Sequence, residues 1–164
     1  MLEYRTLENI TYQALFEAFQ KSFTQSQTAK ESTLESFQDM LHQRKYNPLL
    51  SMGAFDSESD TLVSFVLNSK IPGRVEAAYD ILTGTLPEYR RQGISKHIFQ
   101  QIKELLRQHK IRFYKTEVKC ENTPAINLYT SVGFKIKNEI TTIVHSHTGQ
   151  RTVEQYEIEM EITC

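Results

Sequence analysis

The sequence predicts one mixed α/β domain: a central, mostly antiparallel sheet of six or seven strands, flanked by about four helices. Three observations predict it. Strand-like segments and helical stripes follow one another in the order β-α-α-β-β-β-α-β-α-β-β. Several strands adjoin through short turn sequences, as in hairpins, so strict β-α alternation is absent. The 164 residues, 39% hydrophobic and 24% charged, suit a single globular domain, 1–164, with one sizeable core.

Leu2 to Leu7 is short and strand-like. From Thr11, the residues Tyr12, Leu15, Phe16, Phe19 and Phe23 recur at helical spacing. Thr24 to Ala29 reads as a polar loop. Ser32 with Glu35 fits a capping box for a second helix striped by Leu34, Phe37, Met40 and Leu41. Asn47-Pro48 ends it. Leu49 to Phe55 and Thr61 to Leu67 read as strands joined through the hairpin loop Asp56 to Asp60. After a turn at Pro72-Gly73, the next strand runs from Val75 to Leu86, and Pro87, which cannot donate within a ladder, closes it. Gly84 inside this strand marks a bulge or a close approach. The helix after Gly93 buries Ile94, Ile98, Phe99, Ile102, Leu105 and Leu106 and turns Gln100, Gln101, Lys103, Glu104 and Arg107 to water. Ile111 to Cys120 places Tyr114, Thr116, Val118 and Cys120 on one face and Lys115, Glu117 and Lys119 on the other. Thr123, as an N-cap hydroxyl before Pro124, opens a short helix that Gly133 closes. Ile136 to Val144 and Thr152 to Ile162 are the last strands, around a loop from Ser146 to Arg151. In the second of them Tyr156, Ile158, Met160 and Ile162 alternate with Glu157, Glu159 and Glu161, which is the pattern of a half-exposed antiparallel strand.

Composition excludes several classes. A net charge of −1, with no block of like charges, gives no field for nucleic acid. No apolar run is long enough to cross a bilayer. Met1 to Ile10 carries Glu3, Arg5 and Glu8 and lacks the apolar core of a signal peptide. Cys120 and Cys164 cannot build a disulfide framework or a four-ligand zinc site, so the expected setting is reducing and cytoplasmic. His145 and His147 flank a turn without further ligands at metal spacing, and His42, His97 and His109 lie on helix surfaces, so no metal is expected.

The chemistry concentrates in two segments. In Arg90-Arg91-Gln92-Gly93-Ile94-Ser95 a glycine turn follows a strand and opens a long helix. The first amides of a helix have no partner inside it, and with the positive helix end they form a seat for a phosphate-type anion. Neither the dinucleotide fingerprint G-x-G-x-x-G nor a P-loop is present. The second segment starts at Asn122-Thr123-Pro124-Ala125 and ends at Ser131-Val132-Gly133-Phe134. Together, in this order, the two resemble the GNAT superfamily of acyl-CoA-dependent N-acetyltransferases. Its first motif is Gln/Arg-x-x-Gly-x-Gly/Ala, filled here by Arg90, Gly93 and Ser95. Its second is roughly Asn-x-x-Ala-x-x-Leu-Tyr-x-x-x-Gly-Phe, and Asn122, Ala125, Leu128, Tyr129, Gly133 and Phe134 occupy every named place. Ser95 is the one departure; it is small, keeps its backbone N–H, and its hydroxyl is a further potential donor.

The resemblance implies acetyl-CoA as co-substrate and a splayed sheet. The pyrophosphate would lie on the amides of Arg91, Gln92, Gly93, Ile94, Ser95 and Lys96, with Arg90, Arg91 and Lys96 adding charge. Thr83 and Thr85 would offer backbone groups to the pantetheine arm, which adds like a strand to an open edge. Asn122 would hydrogen-bond beside the cofactor. Tyr129 would stand near the sulfur and protonate the departing thiolate; on residues alone it is a half-buried core tyrosine. An amine of pKa about 10 is only about one part in a thousand neutral at pH 7, so a base is useful. Glu76 and Asp80 are the candidates, Asp80 nearer the splay but of the wrong parity to share the face of Thr83 unless a bulge intervenes. Cys120 lies on the Val118 face near the cleft, as a nucleophile or, without a histidine nearby, as a small buried apolar residue.

The reading this supports is transfer of the acetyl group of acetyl-CoA to a primary amine by direct attack in a ternary complex. A non-catalytic acyl-CoA-binding regulatory module is the alternative, and a nucleic-acid or membrane partner is not expected. In the family the acceptor site is built by the first helices and the last hairpin, here Thr11 to Tyr46 and Val144 to Val153, with the polar loop Thr24 to Ser32 as a mobile rim. Nothing in these segments selects one amine, small or peptidic. The face Glu157, Glu159, Glu161 is a solvated strand face or an attractor of cationic amines. Exposed C-terminal strands make a homodimer possible.

Overall fold

A computed structural model describes residues 1–163; the cysteine Cys164 lies outside the described residues. Strands β1 Leu2–Thr6, β2 Met52–Asp56, β3 Thr61–Lys70, β4 Ala77–Thr85, β5 Phe113–Lys119, β6 Lys135–Ser146 and β7 Gly149–Glu161 form one sheet. Their spatial order is β1-β2-β3-β4-β5-β7-β6. Five neighbouring pairs are antiparallel and β4 with β5 is parallel. The sheet is thus mixed, because helix α4, Ile94–Gln108, carries the chain across between β4 and β5. The other helices are α1 Tyr12–Ser22, α2 Gln27–Glu31, α3 Leu34–Gln43 and α5 Thr123–Val132.

The two helix stripes bury against opposite faces. Phe16, Phe19, Phe37 and Leu41 pack on Phe55, Leu62, Phe65 and Leu67 on the α1/α3 side. Ile98, Phe99, Ile102 and Leu106 pack on Val63, Val66, Ala78 and Tyr114 on the α4/α5 side. Strand β3 is covered on both faces and is buried from Leu62 to Ser69, which is why its sequence reads as a nearly unbroken apolar run.

The feature that positions the site is a parting of strands. β4 and β5 pair only at Ala77–Phe113, Ala78–Tyr114 and Tyr79–Lys115. Beyond them β5 stays with β7 as far as Lys119 opposite Gln155, while β4 stays with β3 as far as Thr85 opposite Ser64. A wedge opens from Asp80 onward. Within β4, Leu82 faces Leu67 and Asp80 faces Asn68, so Ile81 is an extra residue and the strand is bulged there. Gly84 answers a close approach instead: a Cβ would lie 2.6 Å from Phe65 Cζ and 3.0 Å from Phe23 Cε2. Phe65 is fully buried and cannot swing away. Gly84→Ala is therefore expected to cost about 2 kcal/mol, seen as a lower urea midpoint; an unchanged midpoint would show that the aromatic pair yields freely.

Several local expectations are corrected. The polar loop from Thr24 contains the short helix α2, capped by Ser26, whose hydroxyl accepts from the Ala29 amide. The capping box of α3 is Thr33 with Ser36, not Ser32 with Glu35; the Ser36 hydroxyl reaches the Thr33 amide as a Glu would. Leu49 and Leu50 belong to a 3-10 turn, Pro48–Leu50, set by the proline, so β2 starts later. Asn122, not Thr123, caps α5. The last hairpin is tighter than expected, with Ser146 pairing with Gly149 across His147 and Thr148, because Gly149 at φ 123° takes the left-handed turn position.

Candidate active site

Past Pro87 the chain makes a 3-10 turn, Pro87–Tyr89, and then two left-handed residues, Arg91 at φ 62° and Gly93 at φ 75°. The first backbone bond of α4 runs from His97 N to Gly93 O, 3.1 Å. Among the described residues, the amides of Arg91, Gln92, Gly93, Ile94, Ser95 and Lys96 donate to no protein acceptor. Alternating left- and right-handed residues before a helix start point successive N–H groups into one concavity, an anion nest. Arg91 and Lys96 are exposed beside it. Arg90 is engaged otherwise: its Nε donates to Thr85 O (3.2 Å) and its Nη2 to Ser22 O (2.6 Å), tying the turn to β4 and to the end of α1. Gln92 Nε2 donates to Glu88 O, 3.0 Å. The Ser95 hydroxyl turns away from the nest, 2.9 Å from Thr85 Oγ1, which is 2.8 Å from Ser64 Oγ. The expectation that this hydroxyl adds a donor to the anion seat is thereby corrected.

Leu86 N donates to Val63 O on β3. Strand alternation then turns the N–H and C=O groups of Thr83 and Thr85 to the open side of β4. At the point of parting lies Asp80, 1% exposed. Its Oδ2 accepts from Thr83 Oγ1 at 2.7 Å and from Tyr129 OH at 3.1 Å, and its Oδ1 has no partner. The bulge at Ile81 is what brings Asp80 and Thr83 to one face. Burial pushes the Asp80 carboxyl up to about 6, with the Thr83 and Tyr129 hydrogen bonds acting in the opposite direction. Tyr129, in α5, is 8% exposed and packs edge-on to Phe99 and Phe134 at centroid distances of 5.7 and 5.2 Å. Burial first, then the charge of Asp80, raises its hydroxyl well above the usual tyrosine range.

The profile of the Acetyltransferase (GNAT) family matches residues 12–134. The chain belongs to that family. Solved structures share the fold over its whole length. The ribosomal-protein-S18-alanine N-acetyltransferase from Escherichia coli is 18% identical with a TM-score of 0.76, covering 100% of this chain and 96% of that one. Ard1 from Thermoplasma volcanium is 19% identical with a TM-score of 0.75, covering 99% of each chain. YncA from Salmonella typhimurium, solved with its cofactor acetyl-CoA, is 11% identical with a TM-score of 0.74, covering 99% of this chain and 94% of that one. No curated protein matches the chain by sequence.

In this GNAT chain the remaining candidate residues fall away from the wedge or into other work. Glu76 precedes β4, 3.6 Å from Arg74 in a half-exposed ion pair, at the end of the strand opposite the parting. The Asn122 side-chain oxygen accepts from Ala125 N at 3.2 Å and is committed to capping α5. Cys120 is half-exposed rather than buried. Burial, Glu139 and Glu154 together raise its thiol, which disfavours the thiolate a nucleophile needs. Among the described residues no group of three or more His, Cys, Asp or Glu side chains has metal-holding geometry, and no helix is long and apolar enough to cross a membrane. Sequence reasoning missed the hydrogen bond from the Thr83 hydroxyl to Asp80; the parity conflict between the two residues was the signal for it.

Proposed function

We propose that this GNAT protein transfers the acetyl group of acetyl-CoA to a primary amine by direct attack in a ternary complex. The observation that carries the reading is one juxtaposition: a buried carboxylate–tyrosine pair where β4 leaves β5, on the strand that leads into a turn with six amides free of protein acceptors. The residues fit the co-substrate. The nest from Arg91 to Lys96 offers amides to a diphosphate and the exposed Arg91 and Lys96 add charge. The open edge of β4 offers Thr83 N–H and C=O and Thr85 N–H to amide groups of a pantetheine arm; Thr85 O is held by Arg90. The Asn122 oxygen caps α5, which leaves its side-chain N–H₂ to donate beside the co-substrate.

Acetyl-CoA supplies the acyl group activated as a thioester. Asp80, with one oxygen unpartnered, takes the proton of the amine as the N–C bond forms and the C–S bond breaks. Tyr129, whose pKa lies above that of a thiol, is a poor acid alone. Its bond to Asp80 resolves this: once Asp80 has taken the amine proton it is neutral, the charge that raised Tyr129 is gone, and the phenol protonates the departing sulfur; the proton held by Asp80 returns to the phenolate as the carboxyl turns after the transfer, which balances the step.

Two measurements test the reading. Titration calorimetry with acetyl-CoA should show one site per chain. Thiol release from acetyl-CoA should appear with at least one primary amine among spermidine, lysine and a peptide with a free alanine N-terminus. Binding without release would assign the protein instead to a regulatory module.

A further inference from the structure

Thr83 is one of two hydroxyl donors to Asp80, and the two use the same carboxylate oxygen. A third hydroxyl, Thr116 Oγ1, donates across the wedge to the Asp80 carbonyl at 2.9 Å, fixing the backbone at that residue. In a regular strand Asp80 and Thr83 would face opposite sides of the sheet; the extra residue Ile81 removes that difference. A bulge disrupts the ladder and needs a compensating gain. What it delivers is a 2.7 Å bond from Thr83 to a carboxylate whose other oxygen is left without a partner.

Resting on the acetyltransferase reading, we propose that Thr83 is a positioning residue for transfer: through the bulge its side chain locks Asp80 Oδ2 and reserves Oδ1 to receive the proton of the amine. Its backbone and its side chain then have separate tasks, the first along the co-substrate edge and the second on the base. The titratable groups around Asp80 are Tyr129 from α5, Tyr114 from β5 and Tyr79 beside it on β4. None is a cation, so hydrogen-bond donors set how readily the buried carboxylate ionises, the Thr83 hydroxyl first, then the Tyr129 hydroxyl and the Leu82 backbone amide. Burial raises Asp80 and the Thr83 bond lowers it, which fits a donor that favours the charged form.

Thr83→Val keeps the branched shape and the backbone but removes the donor, and Thr83→Ser keeps the donor. In the full-length protein, carbon-13 titration of the Asp80 carboxyl, assigned with Asp80→Asn, should move upward by about one pH unit in Thr83→Val and return toward wild type in Thr83→Ser. With the fastest amine of the panel, kcat of Thr83→Val should fall roughly tenfold while KM for acetyl-CoA stays within about twofold, because a hydrogen bond to a charged group is lost without touching the binding edge. The acid limb of its pH profile should shift in the same direction as the carboxyl. An unmoved carboxyl in Thr83→Val overturns the proposal. So does a moved carboxyl with unchanged kcat, or a loss confined to KM. If wild type binds acetyl-CoA but releases thiol with no amine, the transferase reading fails and the transfer role falls with it, whereas the titration still shows whether Thr83 governs Asp80.

Discussion

Asp80→Asn is expected to slow thiol release by about 10² to 10⁴-fold, the usual worth of a positioned base, while making the protein more stable above pH 6. The opposite signs follow from one fact. The Asp80 carboxyl is 1% exposed, and burial raises it from 3.8 to about 6. Its folded pKa lies above its unfolded one, so its contribution to stability is full below pH 4. That contribution is lost as pH climbs from about 4 to 6 and stays lost above. The shift corresponds to about 3 kcal/mol of strain at neutral pH. Asparagine avoids the charge but leaves a buried N–H₂ where Oδ1 lacks a partner, so the net gain at pH 8 is roughly 1–2 kcal/mol. Urea unfolding at pH 4 and pH 8 measures it: the variant should be the less stable of the two by about 1 kcal/mol at pH 4, where wild type carries no charge penalty, and the more stable at pH 8. In wild type, kcat/KM should decline below about pH 6 as the base takes up its proton. A variant that keeps wild-type turnover and an unchanged pH profile would remove Asp80 from the chemistry.

Periodicity carries the helices and strands because burial is what it encodes. The α4 stripe is read from Ile94, Ile98, Phe99, Ile102, Leu105 and Leu106; five of these are buried, and Leu105, at the edge of the stripe, is only partly buried. The β7 alternation places Ile158 and Met160 inward and Glu157 and Glu159 outward, where Glu159 meets Lys115 at 3.3 Å. Short-range polar choices are less readable, because several hydroxyls near a helix start can cap it and only the final backbone angle selects one. Thr33 over Ser32, and Asn122 over Thr123, are such cases. Helix α2 escaped notice because its five residues bury only Ala29 and so have no stripe.

The site divides along the same line. The amide nest is a local property of the turn around Gly93, and local properties survive in sequence. The Asp80–Tyr129 contact joins residues 49 apart in the chain, and no spacing rule reports it. The family resemblance brings Tyr129 to the cleft; the register slip at Ile81 decides which face Asp80 takes. Such a slip depends on what β3 offers opposite: Asn68 is buried and donates through Nδ2 to Leu50 O at 2.7 Å, while accepting from Tyr114 OH. A strand pinned by that network cannot shift to absorb the extra residue, so the bulge stays on β4.

Tyr129→Phe is expected to reduce kcat by about 10²-fold with the affinity for acetyl-CoA little changed. The ring packs between Phe99 and Phe134, and phenylalanine preserves that packing, so the loss reads the hydroxyl alone. Removing it takes one of two donors from Asp80 Oδ2, and the carboxyl should therefore rise further above about 6. If acid and base act as one relay, neither is useful without the other. Asp80→Asn combined with Tyr129→Phe should then be barely slower than the worse single variant, as groups acting as a unit are strongly non-additive. Independent roles would instead multiply the two losses. The double variant distinguishes these outcomes in thiol-release rates at pH 8, and a fully multiplicative result would leave Asp80 and Tyr129 as neighbours that share a hydrogen bond but not a proton.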